Sequence, residues 1–315
     1  MFRSVDVGNQ HLEIPPYNGG LFAPDEVLER LAVPDEICER FKTLSEFDFR
    51  RPADVTTDTD TGAKRHHIDV EILGHIFEQS ITDLEQIRNE LDGLVKPVGK
   101  AKQKTRRKSE GAFYTPAFIT RYIVEQTLGG VLADRFEALW KQHAETVSRA
   151  MGNLFSDPRL YDASTLKKPQ RKALIEFWQA WQDELGSIRV LDPACGSGAF
   201  LIEAFDQLHA AYRATNSRLD ELRGHPELFD LDRQILQNNL YGVDLNEEAI
   251  EICRLSLWIK TAQYGKKLTS LDHTIRVGNS VVADPSVHPL AFDWHREFPE
   301  VFQPRSAGEP EGVSH

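Results

Sequence analysis

Two aspartates and a pair of closely spaced glycines are the residues of this chain whose types and positions could do chemistry. The run Val190-Leu191-Asp192-Pro193-Ala194-Cys195-Gly196-Ser197-Gly198-Ala199-Phe200-Leu201 puts an acid at the end of a short apolar stretch and two glycines just beyond it. Glycines so placed let the backbone turn sharply and approach a ligand closely. A helix starting at once leaves free backbone N–H groups facing the crevice where open parallel sheets take their ligands. The dinucleotide pattern Gly-x-Gly-x-x-Gly is not met, because Leu201 stands where the third small residue belongs. The lysine of a phosphate-binding loop is also missing. A carboxylate at a strand end suits a cationic amine better than a pyrophosphate, and the methionine half of S-adenosylmethionine carries such an amine. A tight strand-to-helix turn with no ligand is the plainer reading of the same residues.

The elements that must position this turn are legible on both sides of it. Ile188 to Leu191 reads as a strand, and Leu240 to Val243 as a second one ending at Asp244. A helix from Glu247 to about Tyr264 follows, then a third strand, Thr274 to Val277, ahead of Gly278. Strand, turn, helix, strand, helix, strand is the pattern of a parallel sheet with crossover helices, an α/β architecture. Asp192 and Asp244 lie 52 positions apart, longer than a minimal crossover needs, and an insertion around Arg213 to Asp232 would account for it. Thr115-Pro116 opens a helix, with the threonine as cap, proline in the first helical position and Phe118, Ile119, Tyr122 and Ile123 as its buried face. Residues 136–185 read as helical and polar, with Trp178 and Trp181 packing the last helix down and Gly186 ending it.

Residues 1–95 read as a mostly helical region, in which Leu73, Ile76, Phe77, Ile81, Leu84, Ile87 and Leu91 form one apolar stripe. Residues 96–110 read as a basic linker, with Lys96, Lys100, Lys102, Lys104, Arg106, Arg107 and Lys108 preceding Glu110. Such a run serves equally as a solvated connection or as a contact to phosphate. Residues 111–302 form the α/β unit, and 303–315 a disordered tail. The 315-residue chain is 40% hydrophobic with a formal net charge of −12, so a packed core is expected and a grip on nucleic acid by the chain as a whole is not. No apolar run is long enough to span a membrane, no signal peptide is evident, and Cys38, Cys195 and Cys253 have no zinc-site spacing. These features favour a cytoplasmic protein with reduced thiols.

The turn at Asp192 resembles motif I of the adenine N6 DNA methyltransferases, and the chain is most similar to the large restriction-modification and phage-defence methylases. Their segments recur in order as Tyr17-Asn18-Gly19-Gly20-Leu21-Phe22, Leu73-Gly74-His75-Ile76-Phe77-Glu78 and Gly111-Ala112-Phe113-Tyr114-Thr115-Pro116. After the turn come Tyr241-Gly242-Val243-Asp244-Leu245-Asn246, Gly278-Asn279-Ser280, Phe292-Asp293-Trp294-His295 and Phe298-Pro299-Glu300-Val301-Phe302.

The resemblance implies a partial class I S-adenosylmethionine-dependent methyltransferase sheet of Rossmann-like type behind a mostly helical N-terminal region. It implies that Tyr114 and Thr115 meet the cofactor carboxylate, that Asp192 holds its amino group, and that the backbone from Ala194 through Cys195 and Gly196 to Gly198 lines it. Asp244 would accept the ribose hydroxyls, Leu245 would lie against the adenine ring, and Asn279 would read the adenine edge. Plainer roles stay open: Asp244 as a helix cap, Asn279 as a turn residue, Tyr114 as core, Cys195 as a small packed residue. The family's Asn-Pro-Pro-Tyr or Asn-Pro-Pro-Phe motif, whose aromatic ring stacks on a flipped base, is not in the sequence, so no catalytic residue is assigned. The expected role is the S-adenosylmethionine-binding portion of a site-specific DNA adenine methyltransferase, inactive alone. Double-stranded DNA is the expected partner, together with a second chain carrying the catalytic motif. A non-catalytic S-adenosylmethionine-binding or DNA-binding partner module is the alternative.

Overall fold

The computed structural model describes residues 115–302 apart from 153–156, 227–229 and 263–265, together with scattered positions between 11 and 76. The expected basic linker 96–110, the tail 303–315 and Tyr114 lie outside the described residues. Of the N-terminal region, the described parts are a short helix α1 (Asp35–Arg40), two paired strands, β1 (Phe47–Asp48) and β2 (His66–His67), and helical residues at Ile72, Gly74 and Ile76. The parallel β1–β2 pair falls inside the stretch read as helical.

The α/β unit opens with α2 (Ala117–Val124), which runs through a π turn into α3 (Gly130–Met151). Pro116, not Thr115, is the residue that precedes the first helical position, and no side chain caps it. The buried residues of α2 are Thr120 and Val124, whereas Phe118 and Tyr122 are 73% and 64% exposed and Ile119 and Ile123 also face outward. The sequence reading had the helix facing the wrong way. Residues 120, 124 and 128 form one row along the helix, and this row meets the core because the Thr120 hydroxyl satisfies itself locally, donating to the Thr115 and Pro116 carbonyls.

Helix α4 (Lys168–Ser187) lies against α3 through an aromatic cluster. Phe136 meets Trp181 edge-on at 5.0 Å between ring centroids, and Trp178 and Trp181 are buried as the sequence suggests. Gly186 lies inside the last turn of α4, and the chain leaves the helix at Ile188 in an extended conformation.

Three parallel strands follow, β3 (Val190–Asp192), β4 (Leu240–Asp244) and β5 (Ile275–Val277), in that spatial order. Leu191 is opposite Tyr241, and Val243 opposite Arg276. Parallel neighbours need crossovers, supplied by α5 (Ala199–Arg223) and α7 (Glu247–Thr261). The long spacing between the two aspartates is explained by α5 itself, which spans 25 residues and is followed by the short α6 (Leu231–Gln234) and a second π turn, so no inserted loop is needed. Asn239, at the end of that turn, is buried and donates to the carbonyls of Leu185 and Ile188, tying the end of α4 to the start of β4.

Strand alternation assigns the two faces of the sheet. Val190, Leu240 and Ile275 join the large core under α3, α4 and α5. Leu191, Tyr241 and Val243 join a second cluster with Phe292, Phe298 and Trp294, supplied by α8 (Trp294–Glu297) and its surroundings. A final turn of helix, α9 (Pro299–Phe302), adds Val301. Both faces are therefore covered, as all-parallel sheets require, while the edge of β3 away from β4 carries no strand among the described residues.

Candidate functional site

The loop after β3 is held open by its glycines. Gly196 and Gly198 have φ of +52° and +90°, a region that residues with a side chain rarely adopt. A Cβ on Gly196 would meet nothing within 4 Å, so the space beside it is open. Two bonds stitch the loop to β4: the Cys195 amide donates to the Val243 carbonyl at 3.0 Å, and the Gly196 amide to Asp244 Oδ2 at 2.9 Å. A third, from the Gly198 amide to the Cys195 carbonyl at 2.8 Å, closes the turn into α5.

Helix α5 comes close to the sheet without the third glycine of the dinucleotide pattern. Leu201 is fully buried, and a Cβ on Gly242 would lie 2.7 Å from its Cδ1. The small residue needed for close packing thus sits on the strand, not on the helix.

Asp192, at the end of β3, accepts the Ala194 amide at 3.1 Å. Burial pushes its carboxyl above the ordinary value, the Ala194 hydrogen bond opposes this, and the negative Asp244 nearby raises it further. Asp244, at the end of the adjacent strand, spends both oxygens on backbone amides, Oδ2 on Gly196 and Oδ1 on Asn246 at 2.9 Å. The cap of α7 is Asn246, whose side chain accepts the Ala249 amide. Each carboxylate oxygen keeps a further lone pair for a ligand. Leu245, next in sequence, is 39% exposed, unusual for a leucine beside the core. Beyond β5 the Gly278 amide donates to the Asp244 carbonyl, and Asn279 Oδ1 accepts the Val281 amide in a local turn.

Asp192, Ala194, Cys195, Gly196, Gly198 and Asp244 are therefore one bonded unit. Leu245 and Asn279 stand at its rim. Thr115 lies just ahead of α2, which packs on α5, and its carbonyl accepts the Thr120 hydroxyl. Cys195 turns its side chain inward. Its hydrogen bond with Cys253 and its burial hold the thiol well above its usual range, so it stays protonated and acts as packing. Among the described residues no group of acids, histidines and cysteines forms a metal site, and no helix is long and apolar enough to cross a membrane.

Beside the loop lies a groove of about 640 Å³ between the turn after β3 and the segments that follow β5, lined by Pro193, Ala194, Val281, Trp294, His295 and Phe302 among others. Its size is that of a small-molecule site. The sequence reading quoted Trp294 and His295 without a role. The burial of Phe292 and Phe298 on either side of them is the structural reason they are held at this groove.

Comparison with known proteins agrees with this geometry. Residues 166–298 match the family described as MmeI, DNA-methyltransferase domain. A Methanocaldococcus jannaschii protein described as a type II restriction enzyme and methyltransferase is 28% identical over 296 residues, 89% of this chain and 22% of that protein. The adenine-specific methyltransferase BrxX of Escherichia coli is 25% identical over 199 residues, 63% of this chain and 14% of its own length. The Escherichia coli type II restriction enzyme and methyltransferase Eco57I is 32% identical over 134 residues, 37% of this chain and 13% of its own. The chain thus spans about a fifth or less of the length of these relatives.

Proposed function

For a chain of the large restriction-modification type of adenine DNA methylases, we propose that the carboxyl ends of β3, β4 and β5 bind S-adenosylmethionine. The carrying observation is the pair of acids on adjacent strands around one glycine loop. Among the described residues no cation offsets the burial of Asp192, and an ammonium group would offset it. The open space at Gly196 and the exposed Leu245 fit a flat ligand laid along the strand ends.

In this reading Asp192 holds the amino group, and Tyr114 and Thr115 meet the carboxylate. The backbone from Ala194 through Cys195 to Gly198 lines the chain of the cofactor. Asp244 accepts the ribose hydroxyls on its remaining lone pairs while its bonded oxygens keep the loop in place. Leu245 packs on the adenine, and Asn279 reads its edge. When bound, the cofactor supplies an electrophilic methyl group, and these residues orient it.

The acceptor in this reading is the N6 amine of adenine in double-stranded DNA, methylated at a specific site as part of restriction-modification or phage defence. Residues elsewhere in the protein, or in a second chain, complete the catalysis. Calorimetry with S-adenosylmethionine tests the core of the reading: saturable one-site binding is expected, and no heat of binding at millimolar ligand refutes it.

A further inference from the structure

The segment Leu73-Gly74-His75-Ile76-Phe77-Glu78, far upstream in sequence, has no role in the site as described so far, yet one of its residues touches the loop. Val70 and Gly74 are both buried, whereas Ile72 and Ile76 are exposed. A Cβ placed on Gly74 would lie 2.5 Å from Ser197 Oγ and 3.1 Å from Ser197 Cβ. Ser197 is the residue between the two left-handed glycines. The loop is thus bounded on one side by β4 and α7, through Asp244, Val243 and Cys253, and on the other by the backbone at position 74.

We infer that the backbone at Gly74 is the outer wall of the glycine loop, and that Gly74 is a positioning residue for the ligand bound there. The inference rests on the loop being the cofactor site. Its physical basis is that the loop binds through its backbone, which tolerates little displacement. With one side bonded to β4, a methyl group added at position 74 first turns the Ser197 hydroxyl aside and then presses on Ser197 Cβ, 3.1 Å away, and through it on the flanking backbone. Glycine at 74 is needed for this close approach, not for an unusual backbone angle.

The test is S-adenosylmethionine affinity, by calorimetry, of wild type, Gly74→Ala, Gly74→Val, Ser197→Gly and the double variant Gly74→Ala/Ser197→Gly, each also melted without ligand. Gly74→Ala is expected to weaken binding about tenfold and Gly74→Val more, on the scale of an overpacked contact. The double variant should return to within about twofold of Ser197→Gly alone, because the atoms that collide are gone. Unchanged affinity in both Gly74 variants overturns the inference, whatever their melting temperatures. Strict additivity in the double variant overturns it as well.

A wild-type protein that binds no S-adenosylmethionine would refute the cofactor reading instead. The docking of the wall is read separately by the pair Gly74→Cys and Ser197→Cys, expected to give a 74–197 disulfide on mild oxidation, mapped by peptide mass. No such crosslink overturns the inference independently of any ligand.

Discussion

The carboxylate of Asp244 accepts the Gly196 amide at 2.9 Å and so fastens the turn after one strand to the end of its neighbour. The same side chain accepts the Asn246 amide at the start of α7. Asp244→Ala removes both acceptors and is expected to destabilise the fold by about 1–3 kcal/mol, the range for hydrogen bonds to a charged group. Asp244→Asn keeps one acceptor and should cost less. Urea unfolding measures the difference, and equal midpoints for Ala and wild type would show the bond to be worth nothing.

Asp192 opposes folding and, in the proposed reading, favours binding. Its carboxyl is raised in the folded state by burial and by Asp244, so the folded protein holds its proton to higher pH than the unfolded chain does. Between the two pKa values the folded state binds more protons, and stability therefore falls as pH rises through that window. Asp192→Asn should accordingly raise the melting temperature of the ligand-free protein at neutral pH, while S-adenosylmethionine affinity drops by about 1.5–3 kcal/mol. Affinity of the wild type should weaken on acidification, by at most about tenfold per pH unit once the carboxyl is protonated. A flat pH profile with an unchanged Asn variant would remove Asp192 from the site.

Gly242 and Leu201 form a matched pair where α5 packs on β4. Gly242→Ala places a methyl group against a fully buried leucine and is expected to cost about 1–3 kcal/mol. Leu201→Ala alone should cost about 2–5 kcal/mol. The double variant should be less destabilised than the sum of the two, since each change relieves the other. Thermal denaturation of the four proteins gives the coupling, and additive losses would mean the two residues do not touch.

Residues 1–315 contain no Asn-Pro-Pro-Tyr or Asn-Pro-Pro-Phe sequence. The purified chain is expected to transfer no tritiated methyl group to mixed-sequence duplex DNA, even where it binds S-adenosylmethionine. Incorporation above background would require an acceptor site built from other residues.

Among the described residues no strand pairs with the outer edge of β3, whose side chains Val190 and Leu191 are apolar. Such an edge is a template for association, and the chain alone should show concentration-dependent self-association by light scattering. A monodisperse monomer at high concentration would mean the edge is covered.

The loop at Asp192 was legible because its demands are local: an acid, two glycines and an apolar strand follow one another, and the backbone has few ways to arrange them. The three strands and their crossover helices followed from the same run of alternating elements. The inward face of α2 was not legible. Apolar residues at 118, 119, 122 and 123 mark a stripe, but periodicity alone does not say whether that stripe or the row through Thr120 and Val124 meets the core. Leu201 was read only as a departure from a dinucleotide motif, since its partner is Gly242 on β4, distant in sequence. The contact between Gly74 and Ser197 was out of reach for the same reason: it joins two segments 123 positions apart, and nothing in either announces the other.

The separation of Leu191 from Tyr241, opposite each other in the sheet, also bears on the order of assembly. Fifty positions separate them, so closing that loop costs entropy before any pairing returns it. The contacts between α3 and α4 are nearer in sequence and need no such closure, and proteins dominated by distant pairings fold more slowly than helical ones. The helical scaffold is thus expected to form early and the crevice late. During synthesis, the ligand-binding turn would stay immature until α5 and β4 have both emerged, and S-adenosylmethionine would meet a competent surface only near the end of folding.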